Sequence, residues 1–122
     1  MIQYLALIFL GGGLGSVSRF AVSELALRFF QSKIPLGTLL SNLTASVILI
    51  SIVAAFNNEF DESAWIKPFL LIGFCGGFST FSTFSFETYL LFKTGLVTYG
   101  VLNIIFNLLF CIGIMFVIYK NI

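Results

Sequence analysis

Histidine is absent from this 122-residue chain. With it goes the commonest general base and the commonest metal ligand, so histidine chemistry of either kind is excluded. Charge is scarce as well: six Lys and Arg and five Asp and Glu make up 9% of the residues. A typical soluble domain carries nearly three times that fraction, about 25%. The net charge of +1 provides neither a polybasic patch nor an acidic tail, which argues against nucleic acid and against strong anionic-lipid binding. Only two cysteines occur, Cys75 and Cys111, deep in apolar sequence and without CxxC spacing, so they read as small buried hydrophobes. What fills the chain instead is apolar, at 59% of residues with sixteen Phe and a mean hydropathy of +1.09. Such a chain belongs in a bilayer.

The sparse charges leave four long gaps, Met1 to Ser18, Pro35 to Asn58, Pro68 to Phe86 and Thr94 to Tyr119. A helix needs about 20 residues to cross about 30 Å of hydrocarbon, and each gap reaches that with a few flanking residues. The expectation is an all-α membrane protein of four helices at 2–30, 35–57, 66–92 and 95–120, forming one domain over 1–122. Breaks fall at "QSKIPLG", at "NNEFDESAWIKP" around Asp61 and at "FKTGL", with Pro35 and Pro68 at helix starts. The N-terminus lacks the basic region of a signal peptide and is expected to be retained.

Four spans put both termini on one side. That side holds Lys67 and Lys120, and the other holds Arg28, Lys33 and Lys93. A bias of three against two is too small to fix orientation. Two opposed copies would then form an antiparallel dimer, reproducing from two chains the inverted symmetry that larger transporters carry in one. A parallel oligomer oriented by other features is the alternative.

Several polar groups lie inside the spans. Arg19, in "GGGLGSVSRF", either snorkels and pairs near Glu24 or places positive charge at a vestibule that attracts an anion. Glu24 and Arg28 have the i,i+4 spacing of a helix-end pair. Gly11 with Gly15, and Gly73 with Gly77, have the four-residue spacing that lets membrane helices touch backbone to backbone. A nucleotide loop at "GGGLGS" lacks both the GxGxxG spacing and a preceding strand. In "PLGTLLSNLTASVILI", the Asn42 carboxamide is either glue between helices or a donor to a passing anion.

The densest polar stretch is "GFCGGFSTFSTFSFE", Gly73 to Glu87, with three Gly, five hydroxyl residues, five Phe and a carboxylate. Phe78, Phe81 and Phe84 recur every three residues, flanked by Ser79/Thr80 and Ser82/Thr83. Gly73, Gly76 and Gly77 make the helix easy to unwind, and a break near Gly76 to Thr80 would expose carbonyls to a cation. Hydroxyl donors and the positive edges of Phe rings suit a small anion, and a polar packing seam is the alternative.

Together "GGGLGSVSRF", "PLGTLLSN" and "GFCGGFSTFSTFSFE", in this order on four short helices, resemble the CrcB/Fluc fluoride ion channels over nearly the whole chain. The resemblance implies a dual-topology homodimer in the cell membrane with two antiparallel pores, passing fluoride passively and excluding chloride. It assigns the pore asparagine to Asn42, the paired pore phenylalanines to Phe81 and Phe84, and the polar-track hydroxyls to Ser82 and Thr83. It also implies a structural sodium ion at the dimer centre, held by main-chain oxygens of Gly76 and Ser79. The family's first-motif arginine falls on Arg19, and its third-helix glutamate on Glu87. Ser79 stands where the family usually has Thr, and Thr44 where it usually has Gly. A proton-coupled small multidrug transporter needs a membrane-embedded carboxylate, which the first helix lacks. A non-conducting partner subunit explains the glycines but not the alternating hydroxyls and rings. No nucleophile and base pair marks an enzyme.

Overall fold

The computed structural model describes residues 1–56 and 65–121. Helix α1 (Ile2–Phe29) and helix α2 (Leu36–Ala55) are joined by a short extended turn, with Phe30 in the β region and Pro35 capping α2. The third span begins as a π-helix, Ile66–Cys75, continues as a single α-turn, α3 (Gly76–Phe78), breaks, and resumes as α4 (Phe81–Lys93). Helix α5 (Val97–Lys120) closes the chain. The four spans are long and apolar enough to cross a membrane. The expected end of the second helix at 57 and the break around Asp61 lie outside the described residues.

Physical punctuation accounts for the turn between α4 and α5. Gly95 takes φ +82°, which L side chains rarely adopt. Leu96 N–H donates to Leu91 O at 2.8 Å and Gly95 N–H to Phe92 O at 3.2 Å, the paired bonds of a Schellman end. The Leu91 and Phe92 carbonyls are thereby satisfied without water.

Packing follows the glycines. Helix α1 lies against the π-helix and α3, while α2 packs on α5. Gly11 and Gly15 meet the backbone at Phe69 and at Phe74 to Phe78, and Gly77 meets the Gly12 carbonyl. A Cβ at Gly73 would sit 2.9 Å from the Ile8 carbonyl oxygen. Only small residues allow this approach, and in lipid such contact replaces the hydrophobic effect as the force between helices. Gly77→Ala is therefore expected to cost about 1–3 kcal/mol, because a rigid backbone must move. Gly13→Ala meets nothing within 4 Å and should instead raise stability by up to about 1 kcal/mol through helix propensity. Apparent melting temperatures in detergent check the pair, and equal shifts would refute the packing account.

The expected break near Gly76 to Thr80 is present, but the glycines are not where it opens. Gly73, Gly76 and Gly77 are wound rather than unwound, and the break falls just beyond them at Ser79 and Thr80, both extended. Gly73 and Gly77 lie against α1, and the chain opens two residues beyond Gly77.

Candidate functional site

At the break, Ser79 has φ −80°, ψ 155° and Thr80 has φ −152°, ψ 124°. An interrupted helix in a membrane leaves main-chain groups that must find partners. Asn42, on α2, supplies them for Thr80. Its Oδ1 accepts from Thr80 N–H at 2.7 Å, and its Nδ2 donates to Thr80 O at 3.3 Å. The second Nδ2 proton goes to Asn107 Oδ1 at 3.1 Å. Thr80 in turn caps α4, its Oγ1 accepting from Thr83 N–H at 3.3 Å.

From Asn42 a chain of hydrogen bonds continues in one direction. Asn107 donates to both the main-chain and side-chain oxygens of Asn103 at 3.0 Å. Asn103 donates to Thr88 Oγ1 at 2.9 Å, and Thr88 to Phe84 O at 2.7 Å. Asn103 is 0% exposed, and Asn107 and Thr88 are buried. A directed, buried chain of this kind polarises its members and is costly to interrupt. Asn103→Ala would take the donor from Thr88 Oγ1 and the side-chain acceptor from Asn107, so a loss of about 1–3 kcal/mol is expected in thermal unfolding. An unchanged unfolding temperature would contradict the relay.

Beside this relay stand the two phenylalanines. Phe81 and Phe84 have ring centroids 5.7 Å apart at 49°, yet Phe81 is 75% exposed and Phe84 only 8%. They form a wall between two spaces. On one side is a cavity of about 240 Å³ bordered by Asn42, Ser46, Ser79, Thr80, Asn107 and Cys111. On the other is an apolar groove of about 470 Å³ bordered by Thr88, Tyr89, Phe92 and Ile104.

A second polar line runs where α1, α2 and α4 meet. Arg19 donates from a terminal guanidinium nitrogen to Thr83 Oγ1 at 3.4 Å, a long bond, and its Nε is buried without a protein partner. One turn along α4, Glu87 Oε1 accepts from Thr38 Oγ1 at 2.9 Å, while Oε2 is buried and unpartnered. The Ser41 hydroxyl is likewise buried without a partner. A cavity of about 130 Å³, bordered by Ser23, Ser32, Thr38 and Glu87, opens this line toward the α1–α2 turn.

The sequence-derived residues thus divide. Asn42, Phe81, Phe84 and Ser79 come together at the break. Thr83 turns to Arg19 instead, and Ser82 is exposed on the outer face of α4, bordering neither cavity. Asn103, Asn107 and Thr88 escaped the sequence reading. Their signal was the i,i+4 asparagine pair in "VLNIIFNLLF", two carboxamides on one face of the most apolar span.

For a cation, the donor set is main chain. Thr80 N–H, which an unbroken helix would give to Gly76 O, is bonded to Asn42, and Thr83 N–H, which would go to Ser79 O, is bonded to Thr80 Oγ1. Both carbonyls are released from helical pairing. Gly76 Cα has open space around it, beside a cavity of about 140 Å³ shared with Ala45, Cys75 and Ser79. Among the described residues, no cluster of three His, Cys, Asp or Glu competes for a metal. Hard oxygen donors of this kind fit a sodium ion.

Comparison with known proteins agrees with this architecture. The family model described as CrcB-like protein, Camphor Resistance (CrcB), matches residues 6–119. A protein of Klebsiella pneumoniae (strain 342) named fluoride-specific ion channel FluC is 40% identical over 109 residues, covering 89% of this chain and 85% of its own. One of the same name from Pyrococcus horikoshii is 40% identical over 114 residues, covering 93% and 91%. A third, from Shewanella piezotolerans, is 39% identical over 107 residues, covering 88% and 86%. With its four apolar spans, its broken third span and a match over nearly its full length, the chain belongs to the CrcB family of multi-pass integral membrane proteins.

Proposed function

We propose that this protein is a fluoride-selective channel of the cell membrane, acting as an antiparallel dimer with two pores and excluding chloride. The observation that carries the reading is the file of neutral donors at the helix break, Asn42, Thr80 and the Asn107–Asn103–Thr88 relay, set against the Phe81–Phe84 wall. Fluoride is small and strongly hydrated, so a path must replace its water with closely spaced donors and still let it leave. A carboxylate in that file would repel the ion, and a lysine would hold it. Neutral amides and hydroxyls do neither, and the positive ring edges of Phe81 and Phe84 add a weak field.

The bonds that Asn42 makes favour exchange. Its two Nδ2 contacts, at 3.3 and 3.1 Å, are longer than the 2.7 Å bond its oxygen accepts. An anion in the neighbouring cavity would draw the amide protons away at small cost while Oδ1 keeps hold of the break. Chloride, larger and less demanding of donors, gains less from that exchange. Arg19, bonded to Thr83 one turn from the break, places a positive charge beside the approach, with Glu87 one turn further along α4. Ser82, outward on α4, then faces the partner protomer's side of the path.

A sodium ion at the dimer centre would rest on the Gly76 and Ser79 carbonyls and supply fixed positive charge near both pores. Since one chain offers few such oxygens, a second copy completes the set. The near balance of Arg28, Lys33 and Lys93 against Lys67 and Lys120 is consistent with insertion both ways. Exchanging sodium for N-methylglucamine during purification should lower the dimer's melting temperature, whereas no shift would count against the ion.

In cells, the reading predicts that the gene restores growth in fluoride-containing medium to a bacterium lacking its own fluoride exit route. An expressed, membrane-inserted protein that gives no protection would overturn it.

A further inference from the structure

A net charge of +1 sums over two ends of a molecule that meet different leaflets. At the end where α1 turns into α2 and α4 into α5, the cations are Arg28, in the last turn of α1, Lys33 in the connection, and Lys93 in the last turn of α4. Neither connection there, 30–35 or 94–96, contains an acid. Three of the five acidic residues, Glu59, Asp61 and Glu62, belong by sequence to the connection at the opposite end. Glu24 lies one helical turn before Arg28 and offsets that charge alone.

The two lysines left over are held in a particular way. Lys33 Nζ lies 5.2 Å from the centre of the Tyr99 ring, and Lys93 Nζ lies 5.9 Å from that of Tyr89. Both lysines are exposed, and among the described residues neither ammonium is in ion-pair range of a carboxylate. Tyr89 and Tyr99 stand at the ends of membrane-spanning helices, where tyrosine marks the headgroup level. Each ring therefore fixes an ammonium at headgroup depth without neutralising it.

We propose that Lys33 and Lys93, each held over a tyrosine ring at this end, bind the phosphates of anionic phospholipid headgroups. The depth favours a lipid over a dissolved anion: an acyl-anchored phosphate is already concentrated in that plane, and a lysine near an anionic surface gains about 1 kcal/mol from it. The inference rests on the membrane-spanning fold and is independent of which ion the protein conducts.

Native mass spectrometry of the full-length protein in detergent, with phosphatidylglycerol and phosphatidylcholine at equal concentration, tests it. Phosphatidylglycerol adducts should exceed phosphatidylcholine adducts about fivefold or more, falling toward parity in Lys33→Gln/Lys93→Gln. Lys67→Gln/Lys120→Gln, which removes the same charge from the other end, should keep the preference. Parity in the parent protein would overturn the proposal, as would equal loss in both variants, which would mean net charge alone. A preference that survives Lys33→Gln/Lys93→Gln, with or without a change in the dimer fraction, would also overturn it. Excess inorganic phosphate should leave the lipid adducts in place, and displacement by it would assign the site to free phosphate instead. The single replacements, each expected to remove about half of the preference on a logarithmic scale, carry the same test if the double variant does not purify.

Discussion

Asn42→Ala is expected to slow fluoride efflux from proteoliposomes by about 10- to 150-fold while leaving an assembled protein. The range follows from the loss of one hydrogen bond to a charged partner, about 1.5–3 kcal/mol, at 1.36 kcal/mol per tenfold in rate. Stability should fall as well. Removing the carboxamide leaves the Thr80 N–H and C=O and the Asn107 oxygen without their partner at once. Each stranded group costs about 1–3 kcal/mol unless water enters to replace it. Asn42→Asp keeps an acceptor for Thr80 N–H but sets a carboxylate oxygen against the Thr80 and Asn107 oxygens and brings negative charge, so it should conduct no better than Asn42→Ala. A folded Asn42→Ala protein that conducts at the parental rate would remove Asn42 from the ion path.

Phe84→Ala should lower stability by about 3–5 kcal/mol, enough to unfold a protein of marginal stability, whereas Phe81→Ala should barely alter the protomer. The contrast comes from burial, 8% exposed against 75%, for two rings whose centroids lie 5.7 Å apart. Phe84 fills the space between the relay and the apolar groove, so truncation opens both. Phe81 leans out over the polar cavity, where the proposed dimer places the ion. Its loss should act on flux, by about two- to twelvefold if a ring edge contributes 0.5–1.5 kcal/mol to passage. Detergent melting curves beside efflux rates check both. Equal destabilisation by the two variants, or an unaltered rate in Phe81→Ala, would contradict the division of roles.

The sequence made the four spans readable because charges are so few that their gaps outline the helices. The glycine contacts were readable too, since residues four apart share a helix face whatever the tertiary structure. The window of the break, Gly76 to Thr80, was readable as well, but not the position within it. Three glycines within five residues suggest unwinding there, but Gly73 and Gly77 spend their missing side chains on contact with α1, and the opening moves to Ser79 and Thr80. The directions of Ser82 and Thr83 were hidden for a related reason. Periodicity gives faces relative to one another, and which face meets α1 and which meets lipid depends on how α4 restarts after the break. Asn103 and Asn107 had a periodic signal, but their partner Thr88 lies on another helix, and no spacing in one chain segment reveals such a pair.

The central claim is that neutral donors at the break pass fluoride and hold back chloride. Proteoliposomes loaded with both ions, with valinomycin added to carry the compensating potassium, put it to the most direct test, read by fluoride- and chloride-selective electrodes in one vessel. The account predicts rapid release of fluoride with chloride retained until detergent is added. Release of both ions at similar rates, or of neither from a well-folded dimer, would contradict it.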